Sequence, residues 1–508
     1  MQSSKVATAF NVASAIVTLV VQMGISFVLS SYLVATVGEA ATGFSQLANN
    51  FVSYASLITL AFNSMGSRFI AAAYHRGNKK EATAYYSTLV VCNTVLCLVF
   101  LPVAAAVVAN VQQIVDLGNA NLQDVQLLFT FVFINFGVNL FVSLFCSAMF
   151  VTNKLYIQNM INLGRNVLNA VFLLFAYSIF EPQIHYVSLI ALTLSLISVP
   201  ICYYFKRILI PEITFKFNDF SFFFIKILTS SGIWNTVNQA GNVLTTGLDL
   251  LFANWFVGAD PMGTLSIAKT VPTAIITLAS TLNSNLEPEL VIDYAKEGTS
   301  GMLARLWRDI RLSNLILSVP IAVFCCLAVP FYLLWVPSLD ANLLATLSFL
   351  SIMNFIPWAG LQTLYNVFTA TNHLKVNSVA FALGSVLNVL IVLLLLEFTD
   401  LGLFAIAGTS SVIGILRNCI VVAPYVARLL NTPVKLFYFE ACKSVGCCAL
   451  TWIITAGIAN FWCPNTWLAL FGVAASSCII CWLIVIFMTF SKIERHRLTK
   501  TISSRLHR

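Results

Sequence analysis

Charge is what this sequence has least of: Asp, Glu, Lys and Arg make up 9% of its 508 residues, where a soluble globular chain carries about a quarter. That scarcity excludes a water-soluble globule, because there is too little polar surface to cover one. Metal and redox signatures are missing as well. The 13 Cys sit mostly inside apolar runs, including the neighbours Cys325-Cys326 and Cys447-Cys448, with no CxxC pair and no His at zinc spacing. They read as small hydrophobes, so no metal and no cofactor is expected. No Walker phosphate loop, HExxH pair or nucleophile elbow occurs. Direct ATP use and enzyme activity are therefore not expected.

What the chain does contain is apolar: 59% of residues, 40 of them Phe, in runs of about 20 or more, the length a helix needs to cross about 30 Å of hydrocarbon. The expected fold is an all-α polytopic membrane protein with about fourteen spans. They lie near 7–36, 42–72, 83–110, 124–150, 157–180 and 185–205, then 228–257, 262–292, 313–335, 342–369, 376–398 and 402–427, and finally 442–460 and 467–490. The first apolar run, from about Ala7 to Val37, is too long for a cleaved signal peptide and stays as the first span.

A net charge of +8 would raise nucleic acid as a partner for a soluble protein; here no nucleic acid is expected, because placement matters more than the sum. Lys and Arg fall in alternate loops: around Arg76 and Lys79, at Lys154, at Lys206 and Lys216, from Lys296 to Arg311, at Lys375, from Arg428 to Lys443, and in the tail after Lys492. The intervening loops carry acids such as Glu39, Asp116, Asp124, Glu181, Asp260, Asp340 and Asp400. By the positive-inside rule both termini are cytoplasmic, and Trp255, Trp335, Trp462 and Trp467 sit near the outer interface.

The chain also repeats itself at about 219–220 residues. Val37, Gly38 and Gly43 match Val257, Gly258 and Gly263; Asn63, Ser64 and Tyr74 match Asn283, Ser284 and Tyr294; Thr152 and Asn153 match Thr371 and Asn372; Val167, Leu168 and Asn169 match Val386, Leu387 and Asn388. An even six spans per repeat makes the two halves parallel, a layout that suits a transporter rocking between two open states. The expected division is a six-helix lobe over 1–210, a second over 220–430, two further helices over 440–491 and a basic cytoplasmic tail over 492–508.

The stretches GEAATGFSQLANNF (38–51), NSMGSRF (63–69) and HRGN (75–78) resemble the polysaccharide transporter family, which includes the Wzx-type flippases of the multidrug, oligosaccharidyl-lipid and polysaccharide exporter superfamily. The resemblance implies a MATE-like V of two six-helix lobes with two extra C-terminal helices, in a bacterial cytoplasmic membrane. It also implies a function: moving undecaprenyl-pyrophosphate-linked repeat units to the outer leaflet for O-antigen or capsule, beside polysaccharide-assembly proteins and membrane lipid.

Ionisable groups within the spans cost about 2.5–3.5 kcal/mol each and need a partner or a role. Arg165, Lys269 and Arg417 are the candidates for a cationic cavity that receives the carrier's pyrophosphate, which a guanidinium fork can hold by two oxygens. Structural bonds to helix carbonyls are the alternative for the arginines. Asp249 and Lys269, each about ten residues from the turn at Gly258–Pro261, are a possible ion pair, and Asp249 a possible site for a coupling H+ or Na+. Asn49, Asn50, Asn63, Asn166, Asn169, Asn238, Asn242 and Asn388 are candidates for a polar lumen or for interhelical bonds, and Pro272 and Pro288 for hinges. The rival readings are an ion-coupled drug or small-molecule antiporter, for which three bases against one acid is a poor lining, a membrane polysaccharide polymerase or glycosyltransferase, for which no loop exceeds about 20 residues, and a scaffold without transport.

Overall fold

The computed structural model describes residues 2–489; the basic tail expected over 492–508 lies outside them. Among the described residues there are helices, turns and no strand, as a chain in lipid requires if every backbone polar group is to be satisfied locally. Among the described residues, ten helices are long and apolar enough to cross a membrane. Their outward side chains are apolar: Leu383 is 67% exposed, Ile420 69% and Phe398 77%, an arrangement that water would penalise and hydrocarbon does not.

The chain forms two compact units, residues 1–267 and 268–508. In the first, α1 (Gln2–Val37), α2 (Glu39–His75), α3 (Lys79–Ala109), α4 (Leu122–Val151), α5 (Leu155–Ile179) and α6 (Tyr186–Leu209) are followed by α7 (Phe222–Asn242), a π-helical turn over Val243–Gly247, α8 (Asp249–Phe256) and the start of α9 (Ala259–Ala268). One core cluster gathers Phe62, Ile70, Tyr85, Tyr86, Leu89 and Leu144 with Ile210 and Leu228. A second cluster joins α1 to α5 through Leu29, Leu33, Leu173 and Tyr177.

The second unit holds α10 (Thr270–Trp335), α11 (Ala341–Ile352), α12 (Leu364–Ala370), α13 (Leu374–Phe398), α14 (Leu403–Arg417), α15 (Ala423–Leu429), α16 (Val434–Phe461) and α17 (Trp467–Thr489). Its core runs from Leu290, Leu306 and Trp358 to Phe368, Val426 and Phe437. The last two helices pack on α10 through Val319, Val323, Cys447, Val473 and Val485.

The expected spans differ from this in instructive places. Span eight begins in α9 and continues past Lys269 into α10, the same helix that holds span nine; inside α10 the helical backbone is broken at Gly298, whose φ of 67° and ψ of −148° only glycine adopts without strain. Span seven is interrupted by the π turn before Asp249, and span ten is broken into α11, a turn near Phe355 and α12. Span two, α2, is not among the ten helices apolar enough to cross, because Ser and Asn line one of its faces.

The sequence repeat recurs as repeated backbone geometry. Asn153 and Asn372 both adopt left-handed φ, 55° and 58°. The residue after each donates its N–H five residues back, Lys154 to Met149 and His373 to Phe368, both at 2.8 Å. Gly38 and Gly258 have φ of 101° and 126°, and both sit just after a helix end, before the next begins.

Candidate functional site

Hydroxyl and amide side chains recur on α2 at helical spacing: Ser45, Asn49, Ser53 and Ser56. The last three are satisfied on their own helix, Asn49 Nδ2 donating to Ser45 O at 2.8 Å, Ser53 Oγ to Asn49 O at 3.1 Å and Ser56 Oγ to Ser53 O at 2.7 Å, while the buried Ser45 Oγ has no hydrogen-bond partner among the described residues. Back-bonding of this kind lowers the cost of a polar group in hydrocarbon while leaving its lone pairs for a ligand. On α7, exposed Asn242 lies within reach of Gln239, Nδ2 to Oε1 3.5 Å, and Thr246 Oγ1 donates to Asn242 O at 3.1 Å. Tyr54 ties α2 to the π turn, its hydroxyl donating to Gly247 O at 2.6 Å.

The second unit has a longer version on the first turns of α10. Thr273, Thr277 and Ser284 are exposed and Thr281 half-buried. Thr277 and Thr281 donate four residues back at 2.8 Å each, and Ser284 Oγ and Asn285 Nδ2 both reach Thr281 O at 2.9 Å. Sequence reasoning passed over this ladder by looking for charge; its signal was Thr at 273, 277 and 281, an i, i+4 repeat in an apolar helix.

The two arginines have neutral partners. Arg165 on α5 donates from Nη1 to Asn139 Oδ1 on α4 at 3.1 Å. Arg417 at the end of α14 donates from Nη2 to Tyr365 Oη at 2.7 Å, with Asn418 Oδ1 at 3.4 Å, and lies 4.6 Å from the Phe381 ring centroid. Its Nε is buried without a hydrogen-bond partner. Among the described residues no carboxylate pairs with either guanidinium. Their positive charge is therefore spread over amides, a phenol and rings, which orient it without neutralising it.

Asp249 is buried, 1% exposed, in the first turn of α8 and belongs to the first unit; Lys269, half-buried between α9 and α10, belongs to the second. Of the asparagines, Asn49 and Asn242 are exposed, Asn50, Asn166, Asn169 and Asn238 are half-buried, and Asn388 is buried. Asn63 exchanges hydrogen bonds with Asn93 on α3, at 2.9 and 3.2 Å.

Pro272 leaves the Ala268 carbonyl without its helical donor, and two buried hydroxyls take that place: Ser348 Oγ at 2.7 Å and Tyr332 Oη at 3.4 Å. Exposed Pro288 is followed by Glu289, which pairs with Arg305 beyond the Gly298 break. Arg305 also holds Asp309 at 3.0 Å.

Where the first unit's short helix α9 crosses the start of α2, backbone meets backbone. A Cβ on Gly43 would lie 3.0 Å from the Gly263 Cα. A Cβ on Gly263 would overlap the Glu39 carbonyl. Thr264 Oγ1 donates to Glu39 Oε2 at 2.5 Å. Burial raises the Glu39 pKa above its ordinary value, the Thr264 bond opposes that, and the charge of Asp260 adds to it.

The fold matches solved transporters at low identity. It superposes on the lipid II flippase MurJ in an inward closed conformation with a TM-score of 0.64 at 12% identity, covering 94% of this chain and 97% of that one. On an inward-facing multidrug resistance MATE transporter of the MOP superfamily the TM-score is 0.62 at 11% identity, covering 85% and 95%. At the sequence level the chain is 28% identical over 431 residues, 85% of each protein, to the uncharacterized membrane protein EpsK of Bacillus subtilis (strain 168). The family model "Polysaccharide biosynthesis protein" matches residues 9–288. The chain is thus a multi-pass membrane protein with a MOP-transporter fold, and it belongs to the polysaccharide biosynthesis protein family.

Proposed function

We propose that this protein moves a lipid-linked oligosaccharide across the cytoplasmic membrane by alternating access, as a flippase without covalent chemistry of its own. The observation that carries the reading is the pair Arg165 and Arg417, each held by neutral groups, so that both keep a full charge for a diphosphate. The hydroxyl and amide faces of α2 and α10 supply the other half of the requirement: neutral donors and acceptors that suit sugar hydroxyls.

In this reading Lys269 joins the arginines in recognising the diphosphate, Asp249 takes a coupling H+ or Na+, and the basic loops and both termini face the cytoplasm. Surface-polysaccharide assembly proteins supply and consume the cargo.

Deleting the gene and following lipid-linked repeat units tests the reading. Accumulation of full-length units, restored by the wild-type protein and not by Arg165→Gln with Arg417→Gln, is the expected result. Unchanged units together with sensitivity to cationic drugs would favour the antiporter instead.

A further inference from the structure

In the second unit, α13 and α14 diverge around a groove of about 820 Å³, within the range of a built small-molecule site. Its walls are Val379, Leu383 and Leu387 on one side and Ile413, Leu416 and Ile420 on the other. Val379 is 41% exposed, Leu416 49% and Leu383 67%, so the groove opens toward hydrocarbon. At one end stands Lys375, exposed and in no ion pair among the described residues. At the other, the floor is the aliphatic stem of Arg417, whose Cδ lies 3.8 Å from where a Gly384 Cβ would be.

The lining therefore holds two cations and no anion. From Lys375 to Leu387 the helix rises about 18 Å, close to half of a hydrocarbon layer about 30 Å thick. That is the reach of one acyl chain hanging from an interfacial phosphate.

We propose that this groove binds a glycerophospholipid with an anionic headgroup, its phosphate at Lys375 and one acyl chain along the Val379–Leu387 face. A zwitterionic choline headgroup brings its own cation to the lysine and gains less. The occupant is a resident lipid, distinct from the transported cargo, and the inference stands whether or not that cargo is an oligosaccharide.

The test uses the full chain reconstituted with phosphatidylcholine and phosphatidylglycerol in equal amounts, then released into mild detergent for native mass spectrometry of the lipid that stays bound. Phosphatidylglycerol should be retained over phosphatidylcholine by about fivefold, the size expected for one lysine beside an anionic headgroup. Lys375→Ala and Gly384→Leu should each abolish the preference and Lys375→Arg should keep it. Val379→Trp fills the same groove from its exposed rim and replaces Gly384→Leu if that variant does not fold. Equal retention of the two lipids, or a preference unchanged in the lysine and filling variants, would overturn the proposal. So would displacement of the retained lipid by a polyprenyl diphosphate, which would give the groove to the cargo.

Discussion

The two halves of the sequence repeat keep their turns and relocate their charge. By the offset that matches Val167–Asn169 with Val386–Asn388, Arg165 corresponds to Gly384 and Arg417 to Ser198. The first half places its arginine on α5, reaching back to Asn139 on α4, while the equivalent of Arg417 is a small buried serine bonded to Ser195 O at 2.7 Å. The second half does the reverse: Gly384 vacates α13 and the Arg417 stem passes beside it. Each half thus keeps one guanidinium near the same helix pair, supplied by the opposite member of that pair. The backbone turns, which set the path of the chain, tolerate no such exchange.

Neutralising the arginines one at a time should have the largest effect. If they are equivalent in function, Arg165→Gln and Arg417→Gln should each lower transport by roughly tenfold or more, the size of losing a charge-assisted bond of about 1.5–3 kcal/mol. Arg→Lys should rescue partly at both, because the charge remains and the fork does not. A large effect at one site alone would end the equivalence.

Next in size is the glycine contact, which belongs to the first unit. Gly263→Ala drives a methyl into the Glu39 carbonyl and should cost about 1–3 kcal/mol, read as a lower thermal midpoint in detergent. Gly258→Ala fails for a different reason, its φ of 126°, and the two losses should add.

The two left-handed asparagines should differ in cost. Asn372→Ala should cost about 1 kcal/mol through strain alone. Asn153→Ala should cost about 2 kcal/mol, because Asn11 Nδ2 also donates to the Asn153 side-chain oxygen at 3.0 Å and that bond is lost as well. Asn372→Gly should be nearly neutral.

The smallest expected effect is a pH slope. Glu39 has a pKa raised above its ordinary 4.5, so the folded protein holds that proton more tightly than the unfolded chain. Its stabilising contribution is complete below the unfolded value and is lost as pH rises through the folded one. The thermal midpoint should therefore fall across the range above pH 4.5, and Glu39→Gln should flatten that fall.

Much of the fold was legible because apolar length and loop charge are local properties. The expected spans at 83–110, 124–150, 157–180 and 376–398 differ from α3, α4, α5 and α13 by only a few residues at either end. The breaks were not legible. The π turn over Val243–Gly247 contains no proline, and nothing in a run of apolar and Thr residues announces a shift in hydrogen bonding that Tyr54 recognises from another helix. Pro272 was visible as a possible hinge, yet the hydroxyls that cap Ala268 come from residues 332 and 348, distant in sequence. Charge draws the sequence reading to Arg165, Asp249, Lys269 and Arg417, whereas Thr273, Thr277 and Thr281 carry none to mark them among apolar neighbours, and the exposure of Thr273 and Thr277 depends on packing that a local pattern does not encode.

The proposed cargo is an anionic, sugar-bearing lipid. The most direct measurement reconstitutes the purified chain in vesicles with a fluorescent polyprenyl-diphosphate oligosaccharide on the inner leaflet and follows its exposure to an impermeant lectin outside. Wild type should expose the sugar and Arg165→Gln with Arg417→Gln should not. Exposure at the same rate in protein-free vesicles, or in the double variant, would contradict it.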